Sequence, residues 1–166
     1  MNTATQDSWK RLPLPEKKRS LGFTAHYTDA DAELIMQGLI PQQMEDKWFI
    51  YFSEGWLYFL RSWTGAYIFA LRLDGSPAGV RVIDSWVNRD PTQYIGDDDS
   101  YDRKLVAFLI DAFLLKKSAQ FPVPESQSGY QPGVVQHNYV GRAYQETGHR
   151  SPGFWQEIIG FFRKKK

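Results

Sequence analysis

Two five-residue runs, Trp48-Phe49-Ile50-Tyr51-Phe52 and Trp56-Leu57-Tyr58-Phe59-Leu60, stand back to back across Ser53-Glu54-Gly55. Aromatic and β-branched residues suit strands, and a three-residue connection containing Gly predicts a hairpin. Neither run alternates, and that constrains the fold. A strand with one wet face shows polar residues at every other position. Here both faces are apolar, so each must be covered or left open as an aromatic surface. Two more strand patterns follow, 67–73 and 80–87, separated by the turn Asp74-Gly75-Ser76-Pro77-Ala78-Gly79. Four strands between positions 48 and 88 leave no length for parallel crossovers, so the pairing is antiparallel.

One cover is legible. Asp97-Asp98-Asp99-Ser100 caps a helix predicted over 100–117, with Tyr101, Leu105, Phe108, Leu109, Ala112 and Phe113 on a single stripe. Lys116 and Lys117 close it with the charge a helix C-terminus favours. A shorter helix is predicted over 29–37, with the Thr28 hydroxyl and Asp31 forming a capping box and Gly38 and Pro41 stopping it. Ser151-Pro152-Gly153 predicts the start of a C-terminal helix that carries Phe154, Trp155, Ile158, Ile159, Phe161 and Phe162. From 118 to 150 the pattern dissolves into Gly, Pro, Ser and Gln, a long loop in which 134–140 has strand character. The expected architecture is α+β: a four-stranded or larger antiparallel meander packed by a long central helix, with short N-terminal and C-terminal helices. Residues 1–20, with Leu12-Pro13-Leu14-Pro15 followed by Lys17, Lys18 and Arg19, read as a flexible basic arm ahead of a single domain over 21–166. Trp9 is the residue able to pin that arm to the body.

Composition narrows the function classes. At 166 residues the chain suits one domain, and the lack of Cys removes disulfides, thiolate metal sites and cysteine nucleophiles together. The net charge of +1 hides an N-terminal segment 1–20 of +3, a tail 161–166 of +4 and a body of −6. An acidic body argues against a broad nucleic-acid face. Without a long apolar run or a hydrophobic signal core, the expectation is a cytoplasmic protein that does not engage membranes. No cofactor is expected: there is no phosphate-cradling Gly-rich loop and no Gly-x-Ser-x-Gly elbow. Asp97, Asp98, Asp99 and Asp102 lack calcium-loop spacing, and His26, His137 and His149 match no zinc pattern, so no metal is expected either.

The leading candidate site is Arg61-Ser62-Trp63-Thr64-Gly65. A guanidinium, two hydroxyls, an indole and a Gly that admits close backbone approach are the groups that hold a phosphate while stacking on a base or sugar. Arg72 and Arg81 recur on the following strands; if they share a sheet face with Arg61 they form a cationic strip suited to a small polyanion. The plain alternatives are a strand end with Trp63 in the core and ordinary cross-strand pairing of the arginines with Asp84 or Glu54. Asp84 and His137 are the weak catalytic candidates, one beside the arginines and the other in the long loop.

Met44-Glu45-Asp46-Lys47-Trp48-Phe49-Ile50-Tyr51, Gly55-Trp56-Leu57-Tyr58-Phe59 and Arg61-Ser62-Trp63-Thr64-Gly65 together resemble a family of small uncharacterised bacterial proteins. Some of these are linked to ADP-ribosylglycohydrolase-type domains. The likeness spans residues 29–117. Relatives often carry His before the Arg; here the position is Leu60, and if that imidazole is catalytic its loss leaves this chain a binder. Aromatic excess, the recurring arginines and the lack of an organised acid–base or nucleophile set favour a non-catalytic ligand- or partner-binding module, and the resemblance implies the context, an accessory or immunity-type protein in a bacterial ADP-ribose or nucleotide-related system. Two other readings stay open. One is an enzyme acting on a nucleotide or ADP-ribose-like ligand; the other is an interaction or membrane-surface module using the C-terminal aromatic-basic helix.

Overall fold

The computed structural model describes residues 2–123. The expected C-terminal helix, the strand at 134–140 and most of the long loop, with His137 and His149, lie outside the described residues.

Six strands form one antiparallel sheet: β1 (Lys18–Ser20), β2 (His26–Tyr27), β3 (Trp48–Ser53), β4 (Trp56–Arg61), β5 (Tyr67–Ser76) and β6 (Gly79–Asn88). Its order is β1-β6-β5-β4-β3, with β2 also paired to β6. The four expected strands are the meander β3 to β6. Ser53 pairs with Trp56, so the first hairpin loop is one residue shorter than expected, Glu54-Gly55 alone. Both residues have positive φ, 51° and 87°, the backbone a primed two-residue turn needs to match strand twist. The two added strands, β1 and β2, are too short and polar to show a sequence pattern. They occupy the outer edge of β6, where charged residues are tolerated.

Helix α1 (Asp29–Gln37) starts and stops as predicted: the Thr28 hydroxyl accepts the Asp31 N–H at 3.1 Å, and Gly38 turns out of the helix at φ 68°. Helix α2 (Asp99–Phe108) runs on as a π-helical segment, Leu109–Leu114, so the long helix ends three residues before the predicted boundary. Beyond it Lys116 has φ 58°, and the Lys117 ammonium reaches Asp31 of α1 at 2.8 Å. Asp98 caps α2 by accepting the Ser100 and Tyr101 N–H groups.

The two apolar sheet faces are covered differently. Leu105, Val106, Phe108, Leu109, Ile110 and Ala112 close one face over Trp48, Ile50, Leu57, Phe59, Phe69 and Leu71. On the other face Phe49, Tyr51, Leu60 and Tyr67 cluster with Ala4 of the N-terminal segment and with Ile40, while Tyr58 and Trp86 stay half-buried at the margin. The supposed arm is therefore part of the fold. The Ala4 N–H donates to the Gln37 carbonyl, the Leu12 N–H to Gly65 and the Arg89 N–H to the Lys17 carbonyl, each at 2.8 Å. Backbone pairing and the burial of Ala4 outweigh the polar, Pro-containing composition that suggested a flexible arm.

Candidate functional site

Residues 61–65 form the turn between β4 and β5, and each side chain is fixed differently. Arg61 lies opposite Trp48 in register, and its guanidinium sits 4.5 Å from the centre of that buried ring. Ser62 is buried; its hydroxyl donates to the Asp46 carbonyl and its N–H to the Lys47 carbonyl. Thr64 accepts the Ala66 N–H at 3.2 Å. Gly65 has φ 78°, and a Cβ there would lie 3.2 Å from backbone atoms of Lys10, Arg11 and Leu12, so Gly permits the N-terminal segment to approach.

Trp63 turns outward and is 58% exposed. Its indole N–H donates to the Met44 carbonyl, and the Lys47 ammonium lies 5.3 Å from its ring centre. Burial, with Arg61 close by, holds the Lys47 ammonium below its usual pKa. Met44 is 79% exposed, on a loop shaped by the Asp46 carboxylate accepting the Gln42 and Gln43 N–H groups. Trp9 adds a third apolar side chain at this edge, its indole N–H donating to the Ser62 carbonyl at 2.7 Å. Met44, Trp63, Trp9 and Leu12 are all exposed around one turn whose backbone is hydrogen-bonded on both sides.

The cationic strip does not form. Arg61 alternates with Leu60, which faces the N-terminal segment, so Arg61 faces the helices. Arg72 pairs with Trp56 and Asp84 in register and lies on the opposite face, its guanidinium 5.7 Å from the Trp56 ring centre. Arg81 sits at the far end of β6 and pairs with Asp74 at 3.5 Å. Strand alternation separates the first from the second, and strand length separates the third. Asp84 is exposed and accepts the N–H of its own neighbour, Ser85. His137 lies outside the described residues. No group of three or more His, Asp or Glu among the described residues is placed to hold a metal ion, and no described helix is long and apolar enough to cross a membrane.

The acidic run before α2 has a structural use. Arg89, on the chain leaving β6, donates to Asp99, to Asp102 at 2.7 Å and to the Gly96 carbonyl at 2.8 Å. The Tyr94 hydroxyl donates to the other oxygen of the fully buried Asp102, and Arg19 pairs with Asp99 from β1. Burial pushes the Asp102 carboxyl up despite these bonds, while Arg19 and Arg89 hold that of Asp99 down. Sequence reasoning missed this network because its members are spread over 84 positions, between Arg19 and Asp102, with no periodic signal.

A second missed group lies on the face opposite the helices. Tyr51, Tyr58 and Tyr67 meet there, with ring centres 5.2 Å apart for Tyr51 and Tyr58 and 5.4 Å for Tyr58 and Tyr67. The hairpin register would have placed Tyr51 opposite Tyr58, but nothing in the pattern revealed that the N-terminal segment brings Arg11 to them.

These features define an α+β protein with a six-stranded antiparallel sheet, helices on one face and an N-terminal strap on the other. No protein-family model, curated protein or solved structure matches the chain.

Proposed function

We propose that the protein is a non-catalytic binding module that recognises a partner protein through the turn 61–65 and the Met44 loop. The outward, hydrogen-bonded orientation of Trp63 carries this reading. An exposed indole fixed at its N–H and across its ring loses little rotational freedom on contact, and Trp is the residue most enriched among interface hot spots. The resemblance of the Met44–Tyr51 and Arg61–Gly65 segments to small bacterial proteins linked with ADP-ribosylglycohydrolase-type domains supports an accessory or immunity-type role in an ADP-ribose or nucleotide-related system. Arg61 supports the surface from beneath, stacked on Trp48, rather than offering its charge beside Trp63.

The test is co-purification from the native host with the full-length chain, the Trp63→Ala variant and the Arg61→Ala variant. A partner retained by the wild type and lost with Trp63→Ala, at unchanged melting temperature, is the expected result. Equal recovery with the wild type and with Trp63→Ala overturns the surface assignment. Turnover of ADP-ribose, NAD or a nucleotide by the purified wild type overturns the non-catalytic reading.

A further inference from the structure

On the face opposite the helices the Tyr51 and Tyr67 hydroxyls are 2.6 Å apart, both side chains almost fully buried. Two phenols sharing one hydrogen bond own two protons, and the bond uses one. The second O–H finds no acceptor among the described residues, whichever phenol carries it. The Leu12 N–H bond to Gly65 brings Arg11 to this end of β5, where its guanidinium, which has donors only, interacts with the Tyr67 hydroxyl. Burial keeps the Tyr51 phenol protonated far above neutral pH, so the cluster does not supply its own anion. Arg11 meets one carboxylate, Asp7, at 3.5 Å and four-fifths exposed, which leaves most of its donors uncommitted. Tyr58 lies beside both phenols, its ring centre 5.2 Å from that of Tyr51 and 5.4 Å from that of Tyr67. An arginine beside three phenols, with one buried phenol O–H in excess, makes a donor-rich site.

We propose that Arg11, Tyr51 and Tyr67 form a receptor for the oxyanion of a small ligand, a phosphoryl or carboxylate group, with Tyr58 and Trp56 bordering it. The shared chemistry is two or more anionic oxygens that accept simultaneously from a guanidinium and a phenol. Trp56 stacks beside Tyr58 at 6.4 Å with planes 23° apart, and Arg72 lies over Trp56, so the same face offers an aromatic border to any ring attached to that group. Because Arg11 belongs to the N-terminal strap, bound ligand ties strap to sheet. The site is independent of the Trp63 surface, so either assignment can fail alone.

Orthophosphate, adenosine monophosphate and benzoate are titrated into the full-length chain at constant ionic strength, with chloride as the control, following melting temperature and tyrosine fluorescence. Saturable stabilisation by at least one is expected. Orthophosphate alone identifies the phosphoryl group, adenosine monophosphate alone a phosphate with an attached ring, and benzoate alone a carboxylate. Tyr67→Phe and Arg11→Gln should each weaken that binding by about tenfold or more, the loss of one charge-assisted hydrogen bond, with Trp63→Ala as the unaffected reference. Tyr→Phe keeps the ring and Arg11 is partly exposed, so both variants should fold. No saturable response to any of the three, or a response in both variants equal to that of the wild type, overturns the proposal.

Discussion

Arg89 shows how much a single side chain holds in place. Its guanidinium joins the chain leaving β6 to the first turn of α2 through Asp99, Asp102 and the Gly96 carbonyl. Asp102 is fully buried, so removing its cation leaves a desolvated carboxylate with only the Tyr94 hydroxyl. Arg89→Ala should destabilise the protein by about 3–5 kcal/mol in urea unfolding, and a loss below about 1 kcal/mol would show that the network is peripheral. Asp111 makes the converse case. It lies on the π-helical segment near Tyr27, Asp31 and Lys117, and burial raises its carboxyl above the ordinary range, with Asp31 adding to the effect and Lys117 opposing it. An acid whose folded pKa is raised costs nothing while both states are protonated. Its penalty grows as pH rises past the unfolded value and is complete above the folded one. Asp111→Asn should therefore gain stability at pH 7 and show no gain near pH 3. A gain of equal size at both pH values would trace the effect to packing instead.

Two glycines at the same φ separate strain from space at the level of the elements. Gly22 and Gly38 both sit at 68°, but a Cβ at Gly22 meets nothing within 4 Å, whereas one at Gly38 would lie 2.2 Å from the Ile50 carbonyl oxygen. Gly22→Ala should cost about 1 kcal/mol for left-handed strain alone. Gly38→Ala should cost clearly more and loosen the Leu39–Ile50 bridge that tethers the end of α1 to the edge strand, an effect visible in amide exchange at Ile50. Similar costs for the two would mean that α1 can shift freely. The helix starts, the central strands and the antiparallel order were legible because capping residues, apolar runs and turn residues are local signals. The docked N-terminal segment was legible only at Trp9, the expected pin, whose indole bonds the Ser62 carbonyl; its other anchors, backbone hydrogen bonds and the small buried Ala4, leave no pattern in composition. The turn 61–65 was recognised as a unit, yet the side to which Arg61 points depends on strand alternation, which two uninterrupted apolar runs do not reveal.

Over the whole described molecule, the two apolar sheet faces have unequal protection. A continuous helix covers one, and an extended segment with few side-chain contacts covers part of the other. Removing residues 1–12 should leave the helix-side core intact while exposing Phe49, Leu60 and the tyrosine cluster. The expected signature is a lower melting temperature, stronger binding of a hydrophobic dye and retained far-UV circular dichroism. Unchanged dye binding would show that the strap does not shield that face.

The strap also has a temporal consequence. The Ser62 carbonyl that receives the Trp9 indole is synthesised 53 residues after it, and Gly65, which receives the Leu12 N–H, comes later still. At about 5–20 residues per second the wait is roughly 3–11 s. During synthesis the strap therefore precedes the strands it covers, whereas their helix-facing surface stays bare until α2 and the π-helical segment follow, a window in which a chaperone or a neighbouring nascent chain could engage it.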